Sequence, residues 1–424
     1  MSKKFLKFPE GFLWGAATSA HQVEGGNNND WTEWEKENAD RLANEAKNKY
    51  QKWQQDKFSE MFKKENYISG KACDHYHRFK QDFDLAKFLN HNAHRFSIEW
   101  SRIEPVEGEF DEKEIEHYRQ VIKALRERGI EPFVTLWHYT HPRWFTNRGG
   151  WLHPEAKETF LNFVKKIVSE FKNEVNFWIV FNEPETVARH GYIQAIRIPQ
   201  ERSILKALKV LRIFVETYRD AFDLIHSIDE KAKVGFAESL VDFESYNKWP
   251  HNLLVKKLLE WYRNKQFVPK VADKMDFLGL NYYFHSRIRF NPFKSWKWFQ
   301  FNENKMGVSD MGWEIYPKGI YRILKKVSCY NKPIYITELG IADRKDKKRE
   351  KFIKDHLFWI HKAIKEGVDV RGYFYWSLLD NFEWSDGFWP RFGLIEVDYK
   401  TLERKIHPSA YEYAKICKNN KLDL

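Results

Sequence analysis

Residues 177–184 read FWIVFNEP, five apolar residues running without a break into an asparagine, a glutamate and a proline. A short apolar run of this kind is what a strand covered on both faces looks like. Residues 333–340, PIYITELG, repeat the form and again end beside a glutamate. Working outward, similar runs recur at 12–16, 94–98, 132–137, 233–237, 277–280 and 370–376, separated by segments of helical periodicity. In 112–129, EKEIEHYRQVIKALRERG, the residues Ile115, Tyr118, Ile122 and Leu125 make one apolar stripe and Gly129 a C-terminal cap. In 159–171, Phe160, Val164, Ile167 and Phe171 do the same. With 177–181 and 334–337, eight strands alternate with helices, which predicts an α/β fold, the closed (β/α)8 TIM barrel. Proline and glycine fall between the units rather than gathering in a linker, so residues 1–424 read as one domain.

Composition narrows the function classes. Hydrophobic residues at 42% and charged residues at 31% exclude a disordered or membrane-embedded chain. The net charge of +11 raises the question of nucleic acid, but the Lys and Arg residues spread over helix faces. Their densest run, 344–354, is broken by Asp346 and Glu350 and reads as a solvated loop and helix start. The charged segment 34–65 reads as a helical excursion on the surface. Neither nucleic acid nor a membrane is expected as a partner. Cys73, Cys329 and Cys417 are far apart, odd in number and in no metal-type spacing, which implies a reduced, cytoplasmic chain. The start, MSKKFLKFPEGFLWG, has no continuous apolar stretch before Pro9, and nowhere do about 18 apolar residues run together.

In a barrel of this type the chemistry gathers where the strands end, because those ends and the following loops share one open face. Reading along the strand ends yields Gln22, Arg95, His138, Asn182 with Glu183, Glu238, Asn281 with Tyr283, Glu338, and Glu383 beyond Trp376. Glu183 and Glu338 stand at the ends of strands four and seven, across the barrel from each other. Two carboxylates facing across a cleft are the minimum equipment for glycoside hydrolysis, and a separation of about 5–5.5 Å would mark the retaining route. The aromatic content, 17%, supplies both core and the flat walls on which a sugar stacks.

The motifs are also specific as a set. FPEGFLWGAATSAHQVEG, DHYHRFKQDFDLAKFL, HRFSIEWSRI, TLWHYTHPRWF, FNEP, FLGLNYY, MGWEIYP, YITELG and YFYWSLLDNFEWSDGFWPRFGLIEVD follow in this order from first strand to last. In order and spacing the chain resembles glycoside hydrolase family 1, the β-glucosidase and β-galactosidase family. The resemblance implies Glu338 as nucleophile, Glu183 as general acid and then base, and Arg95, Tyr283 and Asn281 as supports of the nucleophile. It implies Gln22, His138, Asn182, Glu383 and Trp384 as sugar-binding residues, Trp376 as the stacking floor, Phe392 as the far wall and Trp313 as the aglycone platform. Myrosinase-like members carry glutamine at the acid/base position, and phospho-glycosidase members replace the glutamate found here as Glu383. The resemblance therefore implies a self-sufficient O-glycosidase acting on an unphosphorylated sugar, without a cofactor. The pairs His75/His77 and His138/His141 have no converging cysteine or acid, so no metal is expected.

Three departures from the family stand out. The loop after Tyr192 is reduced to IQAIRIPQERS, the region between strands five and six is also short, and Glu238 replaces an expected asparagine. The short loops predict a wider aglycone side. A β-glucosidase acting on short oligosaccharides or on aryl and alkyl glucosides is the first reading. β-Galactosidase, β-fucosidase or β-mannosidase specificity, or a sugar-binding protein of weak activity, remain open beside it.

Overall fold

Eight parallel strands close into a ring in the computed structural model, which describes residues 5–290 and 307–424. The basic first four residues and residues 291–306 lie outside the described residues. Strands β1 (Leu13–Ala17), β2 (Ala93–Ser97), β3 (Glu131–Trp137), β4 (Phe177–Asn182), β5 (Lys233–Ser239), β6 (Phe277–Asn281), β7 (Ile334–Leu339) and β8 (Val370–Trp376) follow in order round the ring, and β8 pairs with β1. All eight match the predicted runs. β1 and β2 are each displaced by one residue and β3 starts one residue earlier, while β4, β5, β6 and β7 continue at their C-terminal ends to include Asn182, Glu238, Asn281 and Glu338.

Inside the ring, Phe133, Ile179, Phe277, Tyr335 and Phe374 form a packed floor, with the Phe133 and Phe177 rings stacked 4.1 Å apart. Outside it, Trp178, Val180 and Phe181 of β4 pack into the layer between sheet and helices. Phe181 breaks the alternation: a register shift between Ile179 and Asn182 inserts an extra residue. Strict period-two geometry would aim Asn182 outward; the bulge turns it into the barrel mouth. A second shift, between Ile336 and Glu338, does the same for Glu338.

Among the helices are α1 (Asp30–Lys49), α2 (Glu112–Glu127), α3 (Ala156–Glu170), α4 (Pro184–Tyr192), α5 (Ile204–Ile228), α6 (Pro250–Asn264) and α7 (Arg349–Lys365). The predicted stripes of α2 and of α3 with Phe171 are buried. No helix among the described residues is long and apolar enough to cross a membrane.

Two surface expectations need correction. Segment 34–65 is no mere excursion: Trp31, Trp34, Ala39, Leu42 and Ala43 of α1 pack with Tyr67, Tyr139 and Trp384, so α1 roofs one side of the barrel mouth. The many lysines and glutamates of α1 mask an apolar stripe at three- and four-residue spacing. In the basic run, Arg349 is fully buried, bonded to the Tyr375 hydroxyl and the Asp343 carbonyl and paired with Asp346. A guanidinium is tolerated inside when its donors are met.

Candidate active site

The strand ends enclose a cavity of about 920 Å³. Its lining includes Gln22, His138, Asn182, Glu183, Tyr283, Trp313, Glu338, Trp376, Glu383, Trp384 and Phe392, so the predicted residues come together. Arg95 and Asn281 stand behind the carboxylates and reach them by hydrogen bonds.

Glu183 is the joint between β4 and α4. Its φ of 49° is left-handed, unusual for so long a side chain, and its N–H donates to the Ala237 carbonyl at 2.7 Å, tying the turn to β5. Asn281 Nδ2 donates to its Oε1 at 2.8 Å, and the Tyr139 hydroxyl to its Oε2 at 2.5 Å. Glu338 receives Arg95 Nη1 at 2.5 Å on Oε1 and the Tyr283 hydroxyl at 2.9 Å on Oε2. Arg95 Nη2 also donates to Asn182 Oδ1 at 2.7 Å, and Asn281 Nδ2 to the same oxygen at 3.2 Å. One chain of side chains thus runs Glu338, Arg95, Asn182, Asn281, Glu183. The resemblance assigned Asn281 to the nucleophile; its bond is to Glu183 instead, because β6 ends between the two carboxylates.

Burial pushes the Glu338 carboxyl up to about 7; the Arg95 guanidinium opposes the rise, Glu183 reinforces it and the Tyr283 hydroxyl opposes it. Burial, with Asp386 adding, pushes Glu383 up to about 8, and its Oε2 meets no partner among the described residues. His138 is held well below the usual imidazole range by burial and then by Arg95 and Arg197, so it is neutral. Its ring lies nearly parallel to those of Trp376 and Trp384, and its buried Nδ1 has no partner among the described residues. Gln22 is fixed by donating to the Phe382 carbonyl and by accepting from Ser19. Trp313 packs against Tyr283, Phe284 and Phe392.

Glu238 lies fully buried, accepting from the Ser239 and Glu185 N–H groups rather than facing the cavity. Burial, Glu185 and Glu183 push it well above the usual carboxylate range. Both shortened segments line the cavity: Gln194, Ile196 and Arg197 from the loop after α4, and Val241, Phe243, Leu259 and Tyr262 from the region between β5 and β6. Tyr139 and Arg197 went unpredicted. Tyr139 follows His138 at the end of β3, so the strand-end rule could have found it; Arg197 carries no such signal, because its place depends on how its loop packs. No cluster of histidine, cysteine and acid able to hold a metal occurs among the described residues. His75 bonds Asp82 and His77 bonds Asp74.

The family model for Glycosyl hydrolase family 1 matches residues 5–268 and 245–422. The chain belongs to glycosyl hydrolase family 1. This family 1 enzyme is 33% identical over 458 residues to β-glucosidase A of Thermotoga maritima, covering 98% of this chain and 99% of that protein. The β-glycosidase from Pyrococcus horikoshii superposes with a TM-score of 0.88 at 37% identity, covering 99% of this chain and 97% of that one. A β-galactosidase of Pyrococcus woesei is 28% identical over 502 residues, with 94% of each chain covered. The family 1 chain is therefore a glycoside hydrolase of β-glycosidase type.

Proposed function

We propose that this family 1 hydrolase is a retaining β-glucosidase, with residues 1–424 as one catalytic domain, Glu338 as nucleophile and Glu183 as acid/base. The unequal company of the two carboxylates carries the roles. A guanidinium stands on Glu338, whereas the hydrogen-bond donors to Glu183 are a neutral amide and a phenol. A guanidinium favours the ionised form of the carboxylate it touches, which suits Glu338 to attack as an anion and leaves the proton-donating role to Glu183. Glu338 then attacks the anomeric carbon as the glycosidic C–O bond breaks and the Glu183 proton passes to the leaving oxygen. Water next gives its proton to Glu183 and its oxygen to the anomeric carbon, and Glu338 departs as carboxylate.

Gln22, His138, Asn182, Glu383 and Trp384 form the polar rim for the sugar, over Trp376 as stacking floor. The buried, unpartnered His138 Nδ1 and Glu383 Oε2 support a hydroxyl-rich ligand at that rim. Past Trp313, the apolar wall of Val241, Phe243, Leu259, Phe284 and Ile288 supports aryl or alkyl glucosides beside short oligosaccharides. Three free cysteines support a reducing, cytoplasmic setting.

Hydrolysis of nitrophenyl β-D-glucoside, galactoside, fucoside and mannoside tests the reading, with proton NMR following the first anomer released. The glucoside is expected to have the highest kcat/KM, the β-anomer to appear first, and E338A and E183A to lose turnover. A faster galactoside, fucoside or mannoside would correct the sugar. Cleavage by E338A would remove the nucleophile assignment, and sugar binding without turnover in the parent would make this a binding protein.

A further inference from the structure

The reaction as proposed leaves one hydroxyl at the acid/base unexplained. Tyr139 is buried, has a left-handed φ of 75°, and points its phenol at Glu183 Oε2 from 2.5 Å. A non-glycine residue held in that backbone region signals a position fixed by its surroundings for a purpose.

A sequence of one-way donors decides which oxygen of Glu183 carries a proton. Arginine only donates, so the Asn182 atom 2.7 Å from Arg95 Nη2 is the acceptor Oδ1. The Asn281 atom 3.2 Å from that oxygen is therefore Nδ2, and Asn281 Oδ1 is left to accept from the Thr337 hydroxyl at 2.7 Å. The same Nδ2 donates to Glu183 Oε1 at 2.8 Å. An amide nitrogen cannot accept, so the proton of the acid form belongs on Oε2. There it meets the Tyr139 phenol, a group able both to donate and to accept.

We propose that Tyr139 is a positioning residue for the acid/base: its phenol holds Glu183 Oε2, the proton-transferring oxygen, donating to it when ionised and accepting from it when protonated. This role rests on the acid/base reading of Glu183 given above. The charged and titratable groups around the pair come from several elements. Glu338 of β7, Glu238 of β5 and Arg189 of α4 act on Glu183 or are acted on by it, and Arg95 of β2 reaches it through Asn182. His138 lies beside Tyr139 just past the end of β3, and the Arg197 guanidinium, from the shortened loop, stands 5.5 Å from the centre of the Tyr139 ring. A cation over the ring draws electron density from the phenol and makes it a stronger donor.

Comparing Y139F with the parent enzyme tests the role through two substrates and a pH profile. An alkyl glucoside needs its leaving group protonated, and its kcat/KM is expected to fall about tenfold. Dinitrophenyl β-D-glucoside needs no proton, and its kcat/KM should change by less than about twofold. The bond donated to the ionised carboxylate is charge-assisted and stronger than the one accepted from the acid, so its loss disfavours the ionised form and the alkaline limb of kcat/KM moves up by about one pH unit. Difluorotyrosine at position 139 keeps the ring shape and strengthens the donor, and moves the limb down. Equal losses on both substrates with neither limb displaced would reduce Tyr139 to a packing residue and overturn the proposal. E183Q separates the two levels: azide rescue of E183Q upholds the acid/base reading whatever Y139F does. Full activity of E183Q on the alkyl glucoside removes that reading and the role of Tyr139 with it.

Discussion

In the proposed mechanism, Arg95 is the residue on which the division of labour turns. It holds Glu338, and through Asn182 it orders the amides that reach Glu183. Burial lifts Glu338 to about 7 and Arg95 pulls against that rise, so under the proposed mechanism, in which Glu338 must be ionised to attack, activity is lost as pH falls through that value. R95M removes the counter-pull, and the acidic limb of kcat/KM is expected to lie at higher pH than in the parent. A pH series with nitrophenyl glucoside reads it directly, and an unmoved limb would mean that Arg95 only packs. Glu183, Glu338, Gln22 and His138 were legible because each stands at a strand end in a recognisable motif. Tyr139 was passed over beside His138, since a tyrosine in a barrel rich in aromatic residues reads as core until its hydroxyl is seen to face a carboxylate.

At the scale of elements, the site depends on β7 and β8 lying close where they end. A Cβ added at Gly340 would lie 1.8 Å from the Trp376 carbonyl, a backbone contact with no flexible end to move. G340A therefore forces apart the strand ends that carry Glu338 and Trp376. It is expected to lower stability by about 1–3 kcal/mol or more and to raise KM. D111A is the contrast. Asp111 caps α2 by accepting from the Lys113 and Glu114 N–H groups, so its loss should cost about 1 kcal/mol with KM unchanged. Urea midpoints and KM values for both variants check the pair, and an unchanged KM in G340A would show that the sugar floor tolerates the shift. The strands were readable because burial on both faces leaves a continuous apolar run. The bulges at Asn182 and Glu338 were not, because an extra residue is defined only against the partner strand.

For the molecule as a whole, the interior stores carboxyls, in the cavity and behind it, whose affinity for protons exceeds that of the unfolded chain. Glu383 at about 8, and Glu185 and Glu338 at about 7, keep protons in the folded state that the unfolded chain sheds above about 4.5. Their contribution to stability is therefore present at low pH and is lost as pH rises toward about 8. E383Q removes one such group. Its stability relative to the parent is expected to rise by on the order of a few kcal/mol between pH 5 and pH 8, measured by urea unfolding. A pH-independent difference would show that Glu383 does not titrate there. The amino-acid sequence by itself determined the ring of eight strands, the helix stripes and the two carboxylates, because burial patterns and strand-end motifs are local. Tertiary structure alone decided that α1 roofs the mouth, that Arg349 is buried, and that Arg197 stands over the Tyr139 ring while the Tyr139 hydroxyl meets Glu183. Those outcomes depend on contacts between segments far apart in the chain, where the same lysine-rich helix, arginine or tyrosine serves equally well on a surface or in a site.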